Sequence, residues 1–271
     1  MGRSKKEFSE YLTDAGPSQV THGQYLESPA TAFLAYAVEA KDAVNLCMQR
    51  FNKGADGKYN RAALDSLEHI NSAMLPAIMG HFETFQRHLF AGVFDFSANF
   101  SNFDVSEFFK RLEKVVSFSF SPLSLAAHRG LGANSIGLLL ADNLHGWHDP
   151  NKVNSFLRCF GFKVNAFSGD DCDRLRVLWQ LRHSIVHTGG TLTLPDAQKT
   201  GELQDFGGKN LAFEKNFTLE VARKMHPLVR DATFRIRDAV QERLYVDLED
   251  HELEPITRFF DVRSKVSVWL K

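Results

Sequence analysis

Cysteine is scarce in this chain. Only Cys47, Cys159 and Cys172 occur among its 271 residues, an odd number with no Cys-x-x-Cys spacing, which excludes a disulfide scaffold. No apolar segment of the signal-peptide kind opens the sequence, so the expected setting is the cytoplasm. Net charge is also lacking: 32 Lys and Arg stand against 33 Asp and Glu, a formal balance of -1. That excludes a protein that coats nucleic acid through bulk electrostatics, and any such contact must come from a local basic patch. The longest aliphatic stretch, Leu138-Leu139-Leu140-Ala141, falls far short of the roughly 20 residues that span a bilayer. Lys6 stands where a myristoylation signal requires Ser or Thr. Both observations speak against a membrane partner. Internal repeats, heptads and low-complexity tracts are absent as well.

What is present is helical periodicity over a core-forming length. Residues 1–27 are polar and contain Gly16-Pro17, so they read as a peripheral N-terminal arm. Residues 28–271 read as one all-α domain, a multi-helix bundle with additional helices and a small hairpin. Ser28-Pro29 is a cap followed by Pro at the first helical position, and Phe33, Tyr36, Ala37, Ala40, Val44, Met48 and Phe51 recur at helical spacing, predicting a helix over about 28–52. Leu64 through Leu89 mark a second helix, with Pro76 expected to kink it. Asp104-Val105-Ser106-Glu107 is a capping box opening a helix through Val116. Phenylalanines 94, 96, 100, 103, 108, 109, 118 and 120 crowd this region and are expected in the core, since so large an exposed patch would promote aggregation. Two short helices are expected from Asn134 to Leu144 and from Asp149-Pro150 to Phe160. Ser168-Gly169-Asp170-Asp171 caps a helix over about 170–189 that Gly189-Gly190 ends in the left-handed region. A hairpin around Leu192–Leu194 and Leu211–Phe213 follows. The C-terminal extension, about 217–271, carries a long helix from Thr218 to Leu248 and then a tail after Glu254-Pro255.

The chemistry-bearing segment is Leu181-Arg182-His183-Ser184-Ile185-Val186-His187-Thr188-Gly189-Gly190. It sets a permanent guanidinium and an imidazole of near-neutral titration at a helix end. An Arg can stabilise charge developing on a phosphate, and a His can move a proton to or from a ribose or leaving-group oxygen, with no metal. Five residues separate Arg182 from His187, about 140° around an ideal helix, so within one chain they are not expected to converge. The plainer alternative is that Arg182 pairs with a carboxylate while His187 favours the negative helix end by about 0.3–1 kcal/mol.

Arg182 and His187, with an amphipathic helix before them and Gly-Gly after, resemble the Arg-x-x-x-x-His motif of the HEPN family, over roughly residues 66–190. Where that family often carries Asn after the Arg, this chain has His183. The resemblance implies a compact helical endoribonuclease: the ribose 2′-OH attacks the adjacent phosphate, leaving a 2′,3′-cyclic phosphate and a 5′-OH, with Arg182 and His187 catalytic and no cofactor. It also implies a homodimer whose motif helices line one composite cleft, and a setting in toxin or antiviral defence with an antitoxin or defence-system partner. Glu83, within His81-Phe82-Glu83-Thr84-Phe85, resembles the family's carboxylate that orients the motif Arg.

Other basic residues are candidate RNA contacts: Arg223, Arg230 and Arg237, which recur every seven residues, and Lys110 and Lys114 on the helix after Asp104. The arginines could equally be a solvated face, because Glu220, Asp231, Asp238 and Glu242 lie close by, and the two lysines could merely face water. His183 and His187 at i, i+4 could instead hold zinc with His145 and His148, although no His-Glu-x-x-His is present. A non-catalytic module binding a nucleotide or a protein is the remaining alternative, and otherwise His183 supports the cleft.

Overall fold

The computed structural model describes residues 8–12, 16, 19–117 and 135–264. Phe118, Phe120, Asn134 and Trp269 lie outside that set. Among the described residues every regular element is helical, and β-pairing is limited to three isolated bridges. After a short 3-10 turn at Phe8–Tyr11 come α1 (His22–Glu27), α2 (Pro29–Arg50), α3 (Arg61–Phe96), α4 (Val105–Val115), α5 (Ile136–Asn143), α6 (Pro150–Arg158), α7 (Gly169–His187), α8 (Leu194–Ala197), α9 (Phe217–Gln241) and α10 (Asp250–Phe259). This is the all-α bundle expected from the periodicity.

The 36 residues of α3 make a rod of about 54 Å, and Pro76 sits inside it without ending it. Along this rod pack α2, α5, α7 and α9. Gly137 lets α5 approach closely: a Cβ there would overlap the Ala91 carbonyl. The predicted aromatic core is borne out where it is described. Phe100 and Phe108 are buried, and Phe94, Phe96, Phe103 and Phe109 pack against the same cluster.

Two buried asparagines tie loops to this frame. Asn71 of α3 accepts from the backbone and hydroxyl of Thr218, 3.2 and 2.6 Å, satisfying donors at the start of α9. Asn154 of α6 exchanges two hydrogen bonds with the Phe167 backbone, 2.8 and 2.9 Å, just before α7 begins.

Four expectations are corrected. Residues 22–27 of the arm form α1, because Tyr25 is buried against α3: its hydroxyl lies 2.8 Å from His81 Nδ1, and its ring packs near His88. The long C-terminal helix stops at Gln241, since residues 243–245 pair with 99–101 instead; Ser101 donates to the Arg243 carbonyl and Tyr245 to that of Asn99. The supposed tail contains α10 with Pro255 inside it, held by burial of Ile256, Phe259 and Phe260. Phe259 lies over Gly92, where a Cβ would collide with its ring. The hairpin is a single bridge, Thr191 to Asn210, because Thr193 caps α8, which begins at Leu194.

Candidate active site

Local signals place α7. Ser168 caps its first turn and shares a capping box with Asp171, while Arg235 of α9 donates to the Ala166 carbonyl at 2.9 Å and to Asp171 at 3.3 Å. Burial alone would raise the Asp171 carboxyl; hydrogen bonds from Ser168 and Arg235 outweigh it and hold the group below the usual range. At the other end Gly189 and Gly190 take φ of 62° and 86°, and Gly190 N–H donates to the Ser184 carbonyl at 2.9 Å. Those positive φ values, which glycine adopts without a Cβ penalty, close the helix at His187 as expected.

Arg176, Trp179, Gln180, His183 and His187 follow one another at i, i+3, i+4, i+7 and i+11, so they share one face of α7. That face lines a cleft of about 600 Å³ with Arg182 at its side. Glu83 of α3, His148 and Asp149 before α6, Asn151, and Lys199 with Thr200 from the segment after α8 complete it. The last two are carried in by a folded-back loop: Leu192 donates to the Lys209 carbonyl, Gly208 to that of Leu192, and Leu211 to that of Gly190. Within this loop Lys199 Nζ lies 2.7 Å from Asp196, and the Lys199 and Thr193 hydrogen bonds keep the Asp196 carboxyl low.

Arg182 Nη1 and His187 Nε2 meet at 3.5 Å in a single chain. This corrects the expectation that the two diverge. The 140° between them applies to Cα positions, whereas a half-buried arginine extended along the helix covers the five-residue rise of about 7.5 Å. The His183 ring lies 4.7 Å from the His187 ring, centroid to centroid. Arginine, two imidazoles and Lys199 therefore converge on one opening.

Glu83 lines the same cleft, but its Oε1 accepts from Arg87 Nη2 at 2.6 Å and Nε at 3.1 Å, and Arg87 also reaches Asp142 at 3.3 Å. The side chain it orients is thus Arg87 rather than Arg182. Arg223, Arg230 and Arg237 lie on α9 away from the cleft lining, each bonded to a neighbouring carboxylate: Glu220, Asp231 and Asp238. Lys110 and Lys114 are exposed on α4 and do not line it either. Among the described residues, no group of three or more His, Cys, Asp or Glu is arranged to hold a metal ion. His148 lines the cleft without His145.

Arg176, Trp179, Gln180, Lys199 and Thr200 were not singled out from sequence. A Trp-Gln pair one turn before the motif arginine was the visible signal. Its meaning depended on α3 and the 191–210 loop covering that face. Val186 is 47% exposed beside His187.

No protein-family model, curated protein or solved structure matches the chain. Fold and site together define a class: an all-helical protein with an arginine-histidine cleft along the C-terminal half of α7. No described helix is long and apolar enough to cross a membrane.

Proposed function

We propose that the protein is a metal-independent endoribonuclease of the HEPN type. The observation that carries this reading is the 3.5 Å approach of Arg182 to His187 at the mouth of a cleft large enough for a nucleotide. This sets an imidazole, a group able to take the proton of a ribose 2′-OH, beside a guanidinium that can hold phosphate oxygens. Arg182 keeps further N–H donors for the phosphorane oxygens. His183, one turn back, adds a second imidazole for the leaving 5′-oxygen. The attacking oxygen joins phosphorus, the bond to the 5′-oxygen breaks, and that oxygen receives a proton, leaving 2′,3′-cyclic phosphate and 5′-OH ends. Val186, an exposed apolar side chain on the motif helix, supports pairing of two motif helices in a homodimer. Arg182 and His187 already meet without it.

Purified protein incubated with mixed RNA in EDTA is expected to release fragments ending in 2′,3′-cyclic phosphate. His187→Ala and Arg182→Ala should each lose about 10²–10⁴-fold in rate. Cleavage of a matched deoxyribose strand, or an undiminished rate in His187→Ala, refutes the mechanism.

A further inference from the structure

We propose that the Trp179, Gln180 and Thr200 end of the cleft is an oxyanion subsite that holds an RNA backbone phosphate adjacent to the one being cleaved. The proposal rests on the ribonuclease reading for the origin of that phosphate. Three cleft-lining side chains are more than nine-tenths buried, with exposures of 6% for Trp179, 8% for Gln180 and 7% for Thr200. Trp179 Nε1, Gln180 Nε2 and Thr200 Oγ1 nevertheless have no hydrogen-bond partner among the described residues, and Arg182 Nε is a fourth such atom. Buried donors without partners are rare because each retains its desolvation cost. All four belong to side chains that line one cleft, and they need a common cause.

The chemistry of the set narrows the ligand. An indole N–H only donates, the amide nitrogen only donates, and so does a guanidinium Nε; the threonine hydroxyl can donate as well. Arg176 and Lys199 stand on the same lining, each also paired to one carboxylate, Asp173 and Asp196 respectively. A ligand that satisfies such a set presents acceptors alone and carries negative charge. Nucleobase edges offer donors and acceptors together, whereas phosphate oxygens fit throughout. Arg176 precedes Arg182 by six residues, about 9 Å along the helix, so the two arginines mark separate positions along one groove. A smaller groove lined by Asp173, Arg176, Lys199, Thr200, Gly201 and Glu202 continues from it.

The test uses the full chain with two probes, inorganic phosphate and a deoxyribonucleotide trimer, which has backbone phosphates without the attacking hydroxyl. Affinity and melting temperature are compared for the parent, Trp179→Phe, Gln180→Leu and Thr200→Val. The parent should bind both probes and the trimer more tightly. Each variant should lose about tenfold in affinity, the loss of one hydrogen bond to a charged acceptor. Its melting temperature without ligand should equal or exceed the parent's, because a partnerless buried polar group has been removed. Variants that bind as the parent does, or a parent that binds neither probe, overturn the subsite. Binding of inorganic phosphate without the trimer overturns its assignment to the RNA backbone. His187→Ala separates the two claims, since it should keep the phosphate affinity while losing cleavage. Phosphate binding through these donors without RNA cleavage by the parent would sink the ribonuclease reading and leave an oxyanion site standing.

Discussion

Lowering the pH from 7 to 5 should cost the fold about 2 kcal/mol through His88 alone. This imidazole is buried in the contact between α1 and α3, with Nδ1 2.8 Å from the Thr84 carbonyl, the His22 ring edge-on at 4.9 Å and Nε2 without a partner. Burial pushes it from 6.5 down to about 4; the Thr84 hydrogen bond and Asp142 work against the shift, and His22 and Arg87 add to it. The unfolded chain takes up this proton near 6.5 and the folded chain only near 4, so between those values the unfolded state binds more protons and stability falls as pH falls. Integrating that difference gives about 2 kcal/mol at pH 5 and about 3 kcal/mol once both states are protonated. Burial also lowers His81, which adds a loss of the same sign. Urea denaturation at pH 7, 6 and 5 measures the sum, and His88→Leu isolates one contribution: its stability should fall by about 2 kcal/mol less than the parent's over that range. Equal pH slopes in the two proteins, or a His88 resonance titrating near 6.5, would refute the reasoning.

Gly137→Ala should destabilise by about 3 kcal/mol, because the new Cβ meets the Ala91 carbonyl rather than a movable side chain; urea midpoints read this directly. Asn154→Leu strands the Phe167 N–H and leaves the Phe167 carbonyl only the weak Cys172 thiol, and should cost about 1–3 kcal/mol in the same assay. RNA cleavage should drop with it as the start of α7 loosens. Replacing Arg223, Arg230 and Arg237 together by Gln should leave cleavage and its salt dependence unchanged, since each guanidinium is bonded beside a carboxylate away from the cleft. A shallower salt slope would show that RNA reaches α9.

The ends of α7 were legible because their causes are local. Ser168 with Asp171, and two glycines at positive φ, act within one turn of chain. The same holds for Asp104, Asp149 and Pro150 at the starts of α4 and α6. Local rules misjudged α10, where Pro255 argued for a tail and burial of Phe259 over Gly92 decided otherwise. They misjudged the end of α9 too, because the backbone of residues 99–101, far away in sequence, takes up Arg243 and Tyr245. In the cleft, the spacing of Arg182 and His187 identified the pair, but an angle between Cα positions says nothing about side-chain reach. Trp179, Gln180 and Thr200 were illegible for a different reason: whether a polar atom is buried without a partner depends on what covers it.

Ser28 and Thr31 both donate to the Asp261 carbonyl, at 2.8 and 3.0 Å, and the Arg263 N–H returns to the Thr31 hydroxyl at 3.0 Å. The consequence concerns timing during synthesis. α2 and α3 can pair while the chain is still emerging, since one turn joins them, yet the start of α2 and the Gly92 face of α3 stay bare until residue 261 has left the ribosome. At synthesis rates of about 5–20 residues per second, the nascent bundle carries an open seam for some ten seconds or more. α10 closes that seam last.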